Sequence, residues 1–328
     1  MATSNGISSQ VVYSLLQQGM SNNYAAYGDI LTKMSANTKL TSISDDPVAA
    51  VNVLKTEKSI NNITKYLENI GLAKDELREL DDMLGSVLNK ISTKYKPLAL
   101  QASNGAYNKD AMKSIVTELE GCLEELVSYG NTKFNGNYVF SGANTKTQTF
   151  TIEKENDGTI KSITYHGSDS DGPYQRFVQT DEGEFVAINT TGEQTFGSYD
   201  KDNNVSEGII GTMVETINTL KILADENSTE TEISDANNAL YALLNDFDTN
   251  ISDITTVQAK YASTYTNMEM TETAHDSTKL NLTSYMSSLK DIDMAEMSTE
   301  LYNAMYAYQA SMSLMSQVYQ TGTLLNYI

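Results

Sequence analysis

Few residues in this chain have the spacing to do chemistry. Asp200-Lys201-Asp202-Asn203-Asn204 carries the first ligand positions of a calcium loop, D-x-D-x-N, whose alternating side-chain oxygens converge on a hard cation. The sixth position is Val205, not the glycine that the sharp turn needs, and the twelfth is Gly211, not a bidentate glutamate. Asp246-Phe247-Asp248-Thr249-Asn250 fails in the same way at Ile251. His166 with Asp169 and Asp171 offers one imidazole and unpositioned carboxylates, a weak metal signal that a solvated turn explains better. The single cysteine, Cys122, sits in Leu119-x-x-Cys122-Leu123-x-x-Leu126, a helix core stripe, and the chain's two histidines, His166 and His275, lie far from it in sequence. Asp45 and Asp46 are adjacent carboxylates, but Pro47 follows them, and a helix cap is then a sufficient explanation. No phosphate-cradling glycine loop, metalloprotease helix or nucleophile elbow occurs. These residues predict no enzyme, no cofactor and no bound metal.

The elements around them are more informative. Leu301 to Ile328 contains no Asp, Glu, Lys or Arg, and Leu301, Met305, Tyr308, Met312, Met315 and Tyr319 repeat by four and three, the spacing of a coiled-coil seam. From Met1 to Thr32 the only charged side chain is Asp29, and Tyr13, Leu16, Met20, Tyr24, Tyr27, Leu31 and Met34 repeat by three or four. Two uncharged heptad-like segments therefore close the chain at opposite ends. A solvated helix is rarely free of charge, so both expect neighbours, and the pair alone is expected to be loose. The residues predicted to pack subunits are Leu15, Leu16, Leu31, Leu301, Met305, Met312, Leu324 and Leu325.

Between these ends the chain reads as nested halves. Asp46 is predicted to cap a helix that starts at Pro47, and the apolar period from Val48 to Ile91 describes a rod of roughly 70 Å. Pro97 should kink or end it. A second helix is expected from about Asn108 to Tyr129. Alternating segments at Phe150 to Ile152, Ile160 to Tyr165, Arg176 to Thr180 and Glu184 to Ile188 predict strands. Helical period returns at Ile209 to Leu223 and runs again from about Ile233 to Leu289. The predicted fold class is mainly α with a small β insertion, built on long antiparallel helical rods and coiled coils formed by both chain ends. The expected domains are a terminal coiled-coil core (1–40 with 294–328), a helical rod (41–136 with 206–293) and a β-rich surface insertion (137–205).

Net charge sets the partners that can be excluded. A formal charge of -21 leaves no basic surface for nucleic acid or an anionic membrane. No apolar run is long enough to span a bilayer, and the first residues lack the basic and apolar regions of a cleaved signal peptide.

Several stretches resemble the flagellin superfamily. They are Ser44 to Ala50 (SDDPVAA), Asn137 to Gly142 (NYVFSG), Asp291 to Glu296 (DIDMAE) and Thr323 to Ile328 (TLLNYI), and the resemblance covers both helical halves. It is strongest to the branch of that family that joins hook to filament. It implies a structural adaptor of the bacterial flagellum, secreted unfolded through the type III export apparatus with an export chaperone, and located extracellularly. Implied partners are other copies of the chain, roughly eleven in a ring-like layer, with hook-associated protein 1 on one side and flagellin on the other. Two alternatives stay open: a flagellin filament subunit, and a secreted adhesin-like module that uses the insertion.

Overall fold

The computed structural model describes residues 9–103, 108–142, 144–155, 158–167 and 176–325. Two compact units divide the chain, Met1–Ile63 with Ser277–Ile328 and Thr64–Asp276. Both dividing points fall inside long helices, α2 (Pro47–Lys90) and α7 (Glu230–Lys290).

In the central unit, Ile70, Leu77 and Leu84 repeat by seven along α2, and Ile91 just beyond its end continues the row, with Ala73, Leu80 and Val87 between them, and all are buried. On α7, Leu240, Phe247, Ile254, Tyr261 and Met268 repeat by seven and are buried as well. The two helices face each other antiparallel: Lys74 pairs with Glu272 at 2.5 Å, Arg78 donates to the Tyr265 hydroxyl at 2.8 Å, and Gln258 donates to the Asp81 carbonyl at 3.4 Å. α7 begins with a reciprocal cap: the Thr229 N–H donates to Glu232 and the Glu232 N–H to the Thr229 hydroxyl, satisfying amides that no helical partner reaches. α4 (Lys109–Gly130) starts at Asn108, whose side chain accepts from the Ala111 N–H, and packs on α6 (Gly208–Ala224).

Pro97 does not end the first rod. The chain passes through a π-helical turn, Ile91–Tyr95, and goes on as α3 (Lys96–Ser103). A proline ring crowds the carbonyl four residues back, and a widened turn, closed here by the Lys96 N–H on the Ile91 carbonyl, moves that carbonyl away. Tyr95 is thereby placed in the core, fully buried.

The insertion opens with β1 (Lys133–Phe134) and β2 (Asn137–Tyr138), a hairpin turned by Asn135 and Gly136, both at positive φ. Strands β3 (Phe150–Lys154), β4 (Ile160–Tyr165), β7 (Tyr199–Asp200) and β8 (Val205–Ser206) form one antiparallel sheet in the order β3-β4-β7-β8. β5 (Phe177–Asp181) and β6 (Glu184–Ala187) form a separate hairpin, and a short helix, α5 (Gly192–Phe196), precedes β7. Phe140, Phe150 and Phe196 are buried together, with Phe196 edge-on to the other two at 5.1 and 6.1 Å. Gly130 ends α4 under this cluster because a Cβ there would lie 2.7 Å from the Phe150 ring. Insertion and helices therefore share one hydrophobic core.

Candidate assembly surface

Among the described residues, none of the chemical candidates forms a site. Asp200 accepts from the Asp202 and Asn203 N–H groups through one oxygen and from the Asn203 amide through the other, which closes the β7–β8 turn. Asp248 lies within α7 and pairs with Lys96, while the buried Asn250 donates to Thr212 at 2.8 Å. His166 bonds the Thr151 hydroxyl at 2.6 Å, and its proposed companions Asp169 and Asp171 lie outside the described residues. Among the described residues no group of His, Cys, Asp or Glu is arranged to hold a metal. Cys122 is 1% exposed, and burial pushes its thiol up, away from the thiolate that attack or ligation would require.

The terminal unit has a different character. α1 (Ser9–Ala36) and α8 (Met294–Leu325) lie antiparallel. Tyr13 meets Tyr319 at 6.3 Å, and Tyr308 packs against both Tyr24 and Tyr27, at 5.3 and 6.5 Å. Asn23 donates to the Ser311 hydroxyl at 2.6 Å. The half-buried face of α8 runs Met297, Leu301, Ala304, Tyr308, Ser311, Met315 and Val318, an unbroken four-three repeat. That corrects the predicted seam. Leu301, Met305, Tyr308 and Met315 are half-buried there, but Met312 and Tyr319 are exposed, and Ser311 and Val318 take the points expected for them. The small Ser311 takes the Asn23 hydrogen bond there, while Met312 lies exposed on the flank.

The predicted packing residues separate accordingly. Leu16, Leu301 and Met305 are half-buried within the pair. Leu15 is 60% exposed, Leu31 41% and Met312 45%. Leu324 and Leu325 have side chains outside the described residues. No described side chain of α1 or α8 is buried, and Val11, Tyr13, Tyr24, Met294, Tyr302, Tyr306, Leu314 and Tyr319 are also large, apolar and exposed. A groove of about 480 Å³ lined by Met20, Met312, Met315 and Tyr319 runs along the pair. Soluble monomers rarely leave so apolar and charge-poor a surface bare; it is what an interface looks like before its partner arrives.

The segment between α1 and α2 is tightly built. α1 ends with Asn37 at positive φ, and the Thr38 and Asn37 N–H groups return to the Lys33 and Met34 carbonyls, a Schellman closure. The Lys39 N–H and the Thr38 hydroxyl then donate to the Lys290 carbonyl at 2.8 and 3.1 Å, and the Lys39 ammonium to the Ser288 carbonyl, placing a cation at the negative end of α7. Asp46 accepts from the Val48 and Ala49 N–H groups at 3.0 and 2.9 Å, with Pro47 as the first helical residue. Asp45 accepts from the Ser42 N–H at 2.7 Å and from the Thr41 N–H and hydroxyl.

The Ser42 N–H, and after it the Thr41 hydroxyl, hold the Asp45 carboxyl below the usual aspartate range. A depressed acid contributes while the pH stays above its unfolded value, and that contribution is lost as the pH falls through the lower folded value. The carboxyl-carbon chemical shift of Asp45 should therefore titrate below that of an ordinary aspartate, and the Thr41 and Ser42 amide signals should move with it. Asp46→Ala, which removes the cap, is expected to destabilise the terminal unit by about 1 kcal/mol in urea titration.

Comparison with known proteins meets this geometry directly. The model for the bacterial flagellin N-terminal helical region matches residues 7–145, and that for the flagellin C-terminal helical region matches residues 217–328. The chain belongs to the flagellin family. The two family spans take in α1 to α4 and α7 to α8 and bracket the stretch that holds β3 to β8. Flagellar hook-associated protein 3 of Salmonella typhimurium is 25% identical over 313 residues, covering 93% of this chain and 94% of that protein. Flagellin of Salmonella derby is 24% identical over 238 residues, covering 69% of this chain but 46% of its own length. The crystal structure of flagellar hook associated protein-3 from Legionella pneumophila superposes with a TM-score of 0.60 at 17% identity, covering 72% of this chain and 98% of that one, and so shares the fold. Among the described residues no helix is long and apolar enough to cross a membrane.

Proposed function

We propose that this chain is a structural adaptor of the bacterial flagellum, joining the hook, through hook-associated protein 1, to the flagellin filament. The observation that carries the reading is the exposed apolar surface of the α1–α8 pair, which holds only four charged side chains (Asp29, Lys33, Glu296 and Glu300) and is satisfied when copies pack side by side. End-to-end correspondence with flagellar hook-associated protein 3, against less than half the length of a flagellin, favours a junction subunit over a filament subunit.

In this reading, residues 1–40 with 294–328 form the inner core of the assembly, 41–136 with 206–293 the rod around it, and 137–205 the outward insertion. Leu15, Leu31 and Met312 pack between copies, with Leu324 and Leu325 at the end of the same helix; Leu16, Leu301 and Met305 hold the pair itself. Asp46 and Pro47 fix where the rod begins. Roughly eleven copies close a layer. The chain reaches that position outside the cell unfolded, through the type III export apparatus, with a chaperone holding its apolar end. Coupling order in the terminal helices to assembly keeps copies from polymerising early.

Deletion of the gene in its own host tests this. Cells should carry hooks without filaments and shed flagellin monomer into the medium, with both defects repaired by the wild-type gene. Normal filaments in the deletion strain would overturn the proposal, and loss of the bulk filament protein itself would mean that the chain is the flagellin.

A further inference from the structure

The β5–β6 hairpin is a sheet of its own, and a lone two-stranded hairpin is marginally stable in water. It is held to the helices by a small set of polar contacts. β5 pairs with β6 in regular register from Phe177 to Gln179, then skips Thr180 and resumes at Asp181. That bulge frees the Thr180 carbonyl from the ladder, and His275 on α7 meets it with Nε2 at 2.7 Å. His275 is 7% exposed and packs beside the Tyr66 ring at 5.8 Å. One residue earlier, the Asn69 amide of α2 donates to the Gln179 carbonyl at 3.1 Å. At the leading edge of β5, Arg176 pairs with Glu76, whose buried carboxylate has one oxygen on the guanidinium and the other without a partner. The apolar share of the hairpin's dock is small: Val178 and Val186, opposite one another, turn inward and are partly buried, while Phe177 and Phe185 face outward at 57% and 58% exposure; Ile188, which follows β6 and whose N–H donates to the Arg176 carbonyl, is buried and anchors the hairpin's end.

We propose that His275, Asn69 and the Glu76–Arg176 pair form a latch, and that the β5–β6 hairpin is a strap that lifts from α2 and α7 as a unit while the helices stay folded. Few apolar side chains hold the strap, so its opening is governed by polar contacts that water can replace. The helices beneath keep a core built mainly from α4, α6 and the heptad rows, against which the strap itself packs only Val178 and Val186. The outward Phe177 and Phe185 travel with it, so the latch decides where that aromatic pair is presented. The role of His275 is positioning: its Nε2 holds a carbonyl that the bulge delivers.

Amide hydrogen exchange on the full-length chain tests the latch in the wild type and in His275→Leu, His275→Gln and Arg176→Ala. Glutamine keeps a donor near the Nε2 position, so His275→Gln should exchange within about threefold of the wild type across 177–187, whereas His275→Leu and Arg176→Ala should speed exchange there by about tenfold or more. Exchange in α4 and α6 should stay at the wild-type rate in all three. Three results would overturn the proposal: a wild-type hairpin that exchanges as fast as a free peptide, a speed-up shared equally by α4 and α6, or collapse of the whole chain on His275→Leu or Arg176→Ala.

Discussion

Leu15→Asp and Met312→Asp, each made alone, are expected to leave the monomer's urea unfolding within about 0.5 kcal/mol of wild type and to abolish motility. Leu15 is 60% exposed and Met312 45%, so in the isolated chain each side chain already spends much of its surface in water and little packing is lost. In an assembly built on the bare face of α1 and α8 the same positions become interior. An aspartate there would have to be buried without a partner, at a cost of several kcal/mol in every copy. Each 1.4 kcal/mol is about a factor of ten in an association constant, so one substitution per subunit raises the concentration needed to assemble by orders of magnitude. Leu16→Asp is the contrasting variant. Leu16 lies half-buried in the pair, and its loss should loosen the monomer as well. Soft-agar swimming, electron microscopy of hook tips and circular dichroism of the purified chain give the three readouts. Normal filaments on Leu15→Asp and Met312→Asp cells would show that this face is not the interface.

Phe247→Ala should be the most destabilising single truncation in the central unit, at about 3–5 kcal/mol. Phe247 is fully buried in the α7 row that repeats by seven, and α7 is fixed on either side by Leu240 and Ile254, so the structure cannot collapse into the space left behind. Chemical denaturation followed at 222 nm reads the loss directly. The comparison that gives it meaning is Tyr306→Ala on α8, 63% exposed, which should change monomer stability by less than about 0.5 kcal/mol. A Phe247→Ala loss no larger than that of Tyr306→Ala would mean that the heptad row is not what holds the unit together. The two substitutions also separate the two parts of the molecule. One removes stability that the chain carries by itself, and the other touches a surface whose energy becomes available in company.

Hydrogen bonds and charge explain why the terminal helices are arranged in this way. From Leu301 to its end at Leu325, α8 carries no charged side chain and gains nothing from solvation of its outer face. Its tyrosines present an apolar body and a polar tip, suited to an interface that is wet before assembly and dry after it. The Schellman closure at Asn37 and the Lys39 contacts to the end of α7 tie α1 to its own unit, so the pair is presented on a defined base.

Sequence by itself determined the features that depend on local chemistry. Asp46 and Pro47 start α2, Asn108 starts α4, and Asp293 caps α8 by accepting from the Ala295 and Glu296 N–H groups, because each places a side-chain oxygen beside amides that no helical turn can satisfy. The heptad rows of α2 and α7, the turn at Asn135-Gly136 and the four longer strands follow from period and turn chemistry in the same way. The short strands β7 and β8 and the five-residue α5 carry too little period to be seen. Tertiary structure alone decided which of two adjacent rows on α8 faces α1. A helix turns every 3.6 residues and the apolar pattern repeats every 3.5, so a stripe is defined to within about one residue, and the partner's side chains choose: Tyr24, Tyr27 and Asn23 take the row with Ala304 and Ser311 in it. It decided likewise that Pro97 is absorbed by a π turn, since relief depends on where the core needs Tyr95. And it gave His275 a purpose, because the carbonyl it holds is contributed by a residue ninety-five positions away, across a bulge that no local pattern marks.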